Sequence, residues 1–248
     1  MFKKVFLVFV FSSFVLKSFS QEQKLDEAVD IPEPLMFDLV RGLGAKKGEL
    51  EINALSDFPV NHFNSRDVEW APEIEYAVSD GFAVELEFPF KNFELEALKV
   101  AVQYTIGQSN SNKFIHGVQV IGETMMHRDI TELSLLYVPA YRFNKTWSAI
   151  GLFGAMFELG SDVPDKNYTI LLNASVFANV NEHLVLGVEI NNTDPMLQGL
   201  DSNEMSFLVL PQVHYEFKND YELQVGFGAN VVEEQFEASG VLRLIKTF

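Results

Sequence analysis

Residues 69–88 read EWAPEIEYAVSDGFAVELEF, two alternating runs joined by Ser79-Asp80-Gly81. In the first run Trp70, Pro72, Ile74, Tyr76 and Val78 fall on one face, and Glu69, Ala71, Glu73, Glu75 and Ala77 on the other. In the second, Phe82, Val84, Leu86 and Phe88 oppose Ala83, Glu85 and Glu87. A period of two belongs to an extended strand, and a slip of one residue would exchange the faces. The stretch therefore predicts a hairpin with one apolar and one acidic surface.

The same grammar continues outward. Leu98, Val100, Val102, Tyr104 and Ile106 alternate with Lys99, Ala101, Gln103 and Thr105. Further strands are predicted at 49–55, 117–124, 131–142, 147–159, 168–178, 184–191, 205–217, 221–231 and 237–248, twelve in all. Several reach the ~9–11 residues that a tilted strand needs to cross a bilayer, whereas strands of soluble sheets cluster near ~5–6. The links 79–81, 143–146, 179–183 and 218–220 are short, and 56–67, 160–167 and 192–204 are long, as in an outer-membrane barrel. The link 107–116 is long where a short one is due, which leaves the pairing of the fourth and fifth strands open.

The chain has 248 residues, 48% hydrophobic and 13% aromatic, enough for one domain of barrel or sandwich size. Cysteine is absent, which excludes disulfides, thiolate metal sites and cysteine nucleophiles. Lys plus Arg number 18 against 35 Asp plus Glu, a formal charge of −17 that repels phosphate backbones, so no nucleic-acid partner is expected. Mean hydropathy is only +0.07, and past the N-terminus no apolar run approaches the ~20 residues of a spanning helix. A membrane barrel remains allowed, because its strands dilute apolar residues with polar ones.

Lys3 and Lys4 precede the apolar run Val5 to Leu16, and Ser18-Phe19-Ser20 supplies small residues for cleavage. Residues 1–20 thus read as a signal peptide cut near Ser20, residues 21–48 as a periplasmic lead-in or plug, and residues 49–248 as the barrel. That lead-in carries a short amphipathic piece around Leu35 to Val40. Aromatic residues gather around the short links: Tyr76 and Phe82; Tyr141, Phe143 and Trp147; Tyr215, Phe217 and Tyr221. Rings in that position form the girdle of a membrane barrel, and membrane lipid is the expected surrounding.

Gly240, Leu242, Leu244 and Phe248 lie in step at the C-terminus. They resemble the assembly signal of outer-membrane barrels, which implies the assembly machinery as a partner through the last strand. Lys246 departs from that pattern. The stretches PEIEYAVSDGF (72–82) and YELQVGFG (221–228) resemble the transporter-like barrel family labelled for the meta-pathway of phenol degradation. That resemblance implies a small outer-membrane barrel of a Gram-negative bacterium that passes organic compounds.

With the apolar faces on lipid, the opposite faces point inward. The expected lumen-lining set is Glu69, Glu73, Glu75, Glu85, Glu87, Lys99, Gln103, Glu132, Asn173, Glu189, Gln212, His214, Glu216, Glu222, Gln224 and Asn230. Carboxylates dominate it, and an acidic lumen attracts cations. The other reading is that these glutamates pair with Lys99, Arg142 and Arg243 and brace a filled interior. Enzymatic chemistry has little support, since His62, His116, His127, His183 and His214 show no paired spacing and read as surface or loop residues. Met125-Met126-His127 would point to opposite faces of a strand, and Gly42-Leu43-Gly44 lacks the rest of a nucleotide loop, so no metal and no cofactor are expected.

The expectation is an all-β, single antiparallel up-and-down transmembrane barrel of about twelve strands. It would act as a passive or gated conduit for small solutes or hydrophobic organic compounds. A structural or adhesive barrel using the acidic loop 192–204, and a soluble lipocalin-like binder, are the alternatives.

Overall fold

The structure, a computed structural model, describes residues 31–248 apart from 38, 62–66, 164–166, 194–205 and 233–234. The proposed signal peptide, Asp38, His62 and most of the loop 192–204 lie outside the described residues. Twelve principal strands follow in chain order: β1 (Leu50–Pro59), β2 (Glu69–Ser79), β3 (Phe82–Glu87), β4 (Ala97–Gln108), β5 (Phe114–Met125) and β6 (Ile130–Arg142). Then come β7 (Trp147–Gly160), β8 (Tyr168–Asn179), β9 (Leu184–Thr193), β10 (Ser206–Glu216), β11 (Tyr221–Val232) and β12 (Gln235–Thr247). No helix among the described residues is long and apolar enough to cross a membrane.

Each strand pairs antiparallel with its chain neighbours, and β1 closes the cylinder by pairing with β12. Ile52 on β1 stands opposite Ile74 of β2 on one side and Lys246 of β12 on the other. Closure leaves no edge, so backbone groups find their partners within the sheet. The wall is weakest after β3. Pro89 has no N–H for the ladder, and pairing resumes only in a small hairpin of Phe90–Lys91 with Glu94–Leu95.

Short turns at 80–81, 109–113, 143–146, 180–183 and 217–220 share one end of the barrel with the C-terminus. The strand ends Pro59 and Glu69, and Gly160 and Tyr168, which flank longer connections, lie at the other. The link expected at 107–116 shrinks to residues 109–113 because β4 runs on to Gln108 and β5 begins at Phe114. Fourth and fifth strands pair regularly, with one bulge between Thr105 and Gly107.

Along the strands, large apolar residues face outward and are exposed, among them Ile74, Tyr76, Val100, Leu172 and Leu244. Their alternates Glu75, Gln103 and Gln224 are almost fully buried. So much apolar surface is stable against acyl chains and not against water, the reverse of a soluble binding barrel. Two inward patches are apolar instead, the smaller joining Leu208, Leu210 and Val241 to Leu35. On β5 to β8 the inward face turns apolar toward the short-turn end, through Ile115, Leu136, Val138, Ala140, Ile150, Leu152 and Phe177. Phe37, Leu39, Val40 and Leu43 cover it, because residues 31–37 and 39–44 run inside the barrel before Gly48 bonds Ala77 and β1 begins.

Candidate functional site

At the long-loop mouth the sheet register lines up inward side chains from six consecutive strands. Glu73 is opposite Glu87, Glu87 opposite Lys99, Lys99 opposite Glu123, Glu123 opposite Glu132, and Glu132 opposite Glu158. Five carboxylates and one ammonium therefore form a row around half the wall. Among the described buried residues, the glutamates are Glu51, Glu73, Glu75, Glu85, Glu87, Glu132 and Glu189, and the Lys and Arg residues are Arg41, Lys99 and Arg243. Lys99 pairs with Glu87 and lies 3.7 Å from Glu85. Arg243 directs Nη2 at Glu73 (2.7 Å) and Glu75 (3.2 Å), and its Nε donates to Oδ1 of Asn53 at 3.1 Å. Outside the spanning strands at the same end, a hydrogen bond from Asn92 and the nearby Lys91 hold Asp67 below its ordinary pKa. Hydrogen bonds from Ser161 do the same for Asp129.

The middle of the barrel is occupied by the chain's own residues 31–37 and 39–44. The N–H groups of Leu35 (2.9 Å), Met36 (3.1 and 3.2 Å) and Phe37 (2.7 Å) all donate to the carboxylate of Glu189 on β9. Arg41 pairs with Glu51 and lies 3.4 Å from Glu49, and its carbonyl accepts from Nε2 of Gln103 at 2.6 Å. Gly44 donates to Oγ1 of Thr105 at 2.9 Å. The wall is shaped to receive this segment. A Cβ on Gly117 would stand 2.7 Å from Leu43, and one on Gly226 would stand 2.8 Å from Leu35. The two missing side chains are the seats of the two leucines.

Below the segment, at the short-turn end, lies a cavity of about 870 Å³. Arg41, Glu49, Glu51, His183, His214 and Glu222 are among its lining residues. His214 stands 3.6 Å from Glu222, shares a 2.8 Å hydrogen bond with Gln212 and tilts its ring against Phe177. Gln212 in turn donates to Glu189 at 3.2 Å. A polar chain thus connects the cavity to the carboxylate that holds residues 35–37.

Comparison with known proteins places this architecture. The profile of the HAEPLYID-like family matches residues 27–247, nearly the whole chain. The chain belongs to the HAEPLYID-like family. Among solved structures, a KdgM porin in complex with disordered oligogalacturonate is similar at TM-score 0.62 and 10% identity, over 80% of this chain and 99% of that one. The COG4313 outer membrane channel from Pseudomonas putida F1 is similar at TM-score 0.61 and 13% identity, over 86% and 100%. A NanC porin follows at 0.58 and 9%, over 79% and 98%. At these identities the likeness is one of fold, that of outer-membrane porin-like barrels. A comparison with curated protein sequences gives no match.

In this HAEPLYID-like chain the expected inward residues whose side chains are described fall into three groups. Glu73, Glu75, Glu85, Glu87, Lys99, Gln103, Glu132, Asn173, Glu189, Gln212, His214 and Gln224 are buried inside the wall. Glu222 is half-buried at the cavity. Glu69 and Glu216 are exposed at opposite rims, since each sits at a strand end where the cylinder opens. The side chain of Asn230 lies outside the described residues. His214 corrects the expectation of surface histidines, because its parity on β10 points it inward.

Tyr76, Tyr141, Phe143, Trp147, Tyr215, Phe217 and Tyr221 are exposed near the short turns, with Phe82 half-buried beside them. Leu242, Leu244 and Phe248 are exposed along the last strand, and Phe58 covers Gly240. Lys246 bonds the Asn219 carbonyl and lies 5.0 Å from the ring centres of Tyr221 and Phe248. Sequence reasoning missed Glu51 and Asn53, although the alternation in GELEIN marks them, and it missed Arg41, for which no periodic signal exists.

Proposed function

We propose that this chain is a gated, cation-preferring conduit for small solutes in the outer membrane of a Gram-negative cell, with the short turns in the periplasm. The row Glu73, Glu87, Lys99, Glu123, Glu132 and Glu158 at the mouth carries the reading. Such a row concentrates cations and repels anions from a low-dielectric passage. Residues 31–44 serve as the internal plug, and the cavity at the short-turn end as the vestibule behind it. The apolar part of the inner wall suits hydrophobic organic compounds, the cargo implied by the resemblance to the meta-pathway barrels. The aromatic residues around the turns act as the lipid-headgroup girdle, and Leu242, Leu244 and Phe248 present the assembly signal.

The test is the ion preference of Glu123→Gln with Glu158→Gln, two half-buried members of the row outside the Arg243 cluster. A unit charge ~4 Å from an ion in water is worth ~1 kcal/mol, about fivefold in partition. The double variant should lower the cation-to-anion permeability ratio at least about threefold in planar bilayers. An unchanged ratio would place the ion path away from this row.

A further inference from the structure

Glu189 is fully buried on β9, yet among the described residues no ion pair reaches it. Its carboxylate is satisfied by N–H donors instead. Besides the three consecutive backbone donors of residues 35–37, Nδ2 of Asn191 donates at 2.7 Å and Nε2 of Gln212 at 3.2 Å. A buried carboxylate held only by neutral N–H donors is also a partner for a primary ammonium, which donates one or two of its N–H bonds and adds the full charge that amides lack. The next inward position along the strand is Gly187, where a Cβ would stand 2.8 Å from the ring of Phe177. The Phe177 ring therefore covers the inward position next to Glu189 on the same strand, at the border of the apolar wall. The seat has an anionic end and an apolar side, and it is filled by the N–H groups of residues 35–37 and by the side chains of Leu35 and Phe37.

We propose that this seat binds a primary ammonium carried on an apolar body, and that residues 35–37 are its tethered occupant, displaced when such a solute enters. The conduit reading supplies the solute's route; the binding itself stands without it. Because the chain has no cysteine, Met36→Cys places a single thiol beside Glu189. The rate at which a water-soluble maleimide labels the full-length, detergent-solubilised protein then reports displacement.

Benzylammonium should raise that rate about tenfold, while benzyl alcohol, without charge, and benzoate, with the wrong charge, change it less than about twofold. Adding Glu189→Gln should remove the preference for the amine. Should that variant fail to give a heat-modifiable barrel, Glu189→Asp keeps the charge at shorter reach and should move the amine response to higher concentration. Equal responses to the three probes, or an amine preference that survives Glu189→Gln, would overturn the proposal. Bilayer conductance of the same preparation separates the two readings. Conductance steps without an amine effect keep the conduit and remove the site, and an amine effect without steps does the opposite.

Discussion

Arg243 accounts for the two most crowded carboxylates of the interior. Its guanidinium reaches Glu73, Glu75 and Asn53 at once, and the carbonyl of Pro34 lies 3.5 Å from Nη1. Removing one partner of a buried ion pair costs about 3–5 kcal/mol, because the other charge is left without compensation. Arg243→Leu should accordingly lower the midpoint of the heat-modifiable transition by much more than Arg243→Lys, which keeps the charge and loses the planar fork. Equal midpoints for wild type and Arg243→Leu would show that these glutamates are solvated. The pairing of inward glutamates with Lys99 and Arg243 is legible in sequence, because all sit on alternating strands of known parity. Arg142 is different, standing at the short-turn end away from that cluster. Arg41 could not be placed either, since its partners Glu49 and Glu51 depend on how the lead-in threads the cylinder.

At the scale of elements, backbone pairing outruns the apolar pattern. β4 and β5 extend through Gly107, Gln108 and His116, polar or small residues at the rim that the alternation cannot mark but the ladder still pairs. The turn between β10 and β11 is clearer. Asn219 (φ 66) and Asp220 (φ 58) both adopt left-handed backbone in the three-residue link 218–220, which follows from Glu216 standing opposite Glu222. Asp220→Gly should be tolerated, and Asp220→Val should cost about 1–2 kcal/mol in guanidinium unfolding of the detergent-solubilised barrel. Equal stability of the two variants would show that the turn relaxes into another conformation. The segment 31–44 left almost no trace in sequence beyond the amphipathic piece at Leu35 to Val40. It forms no periodic element, and its burial comes from a wall built elsewhere in the chain, including the gaps at Gly117 and Gly226.

For the whole molecule, closure and alternation together put apolar side chains on lipid and carboxylates inside, and both were readable from the strand lengths and the period of two. The rule that polar residues face inward fails most broadly at the short-turn end of β5 to β8, and again at Leu208, Leu210 and Val241, which turn inward against Leu35. Parity says which residues share a face; it does not say whether that face meets water or another part of the chain. The acidic balance of the interior then sets the sign of what should pass. Full-length protein in a planar bilayer under a roughly tenfold KCl gradient should give discrete conductance steps. Their reversal potential is expected on the potassium side of zero, as the carboxylate row at the mouth requires. A sealed bilayer, or a reversal potential on the chloride side, would contradict a cation-preferring conduit.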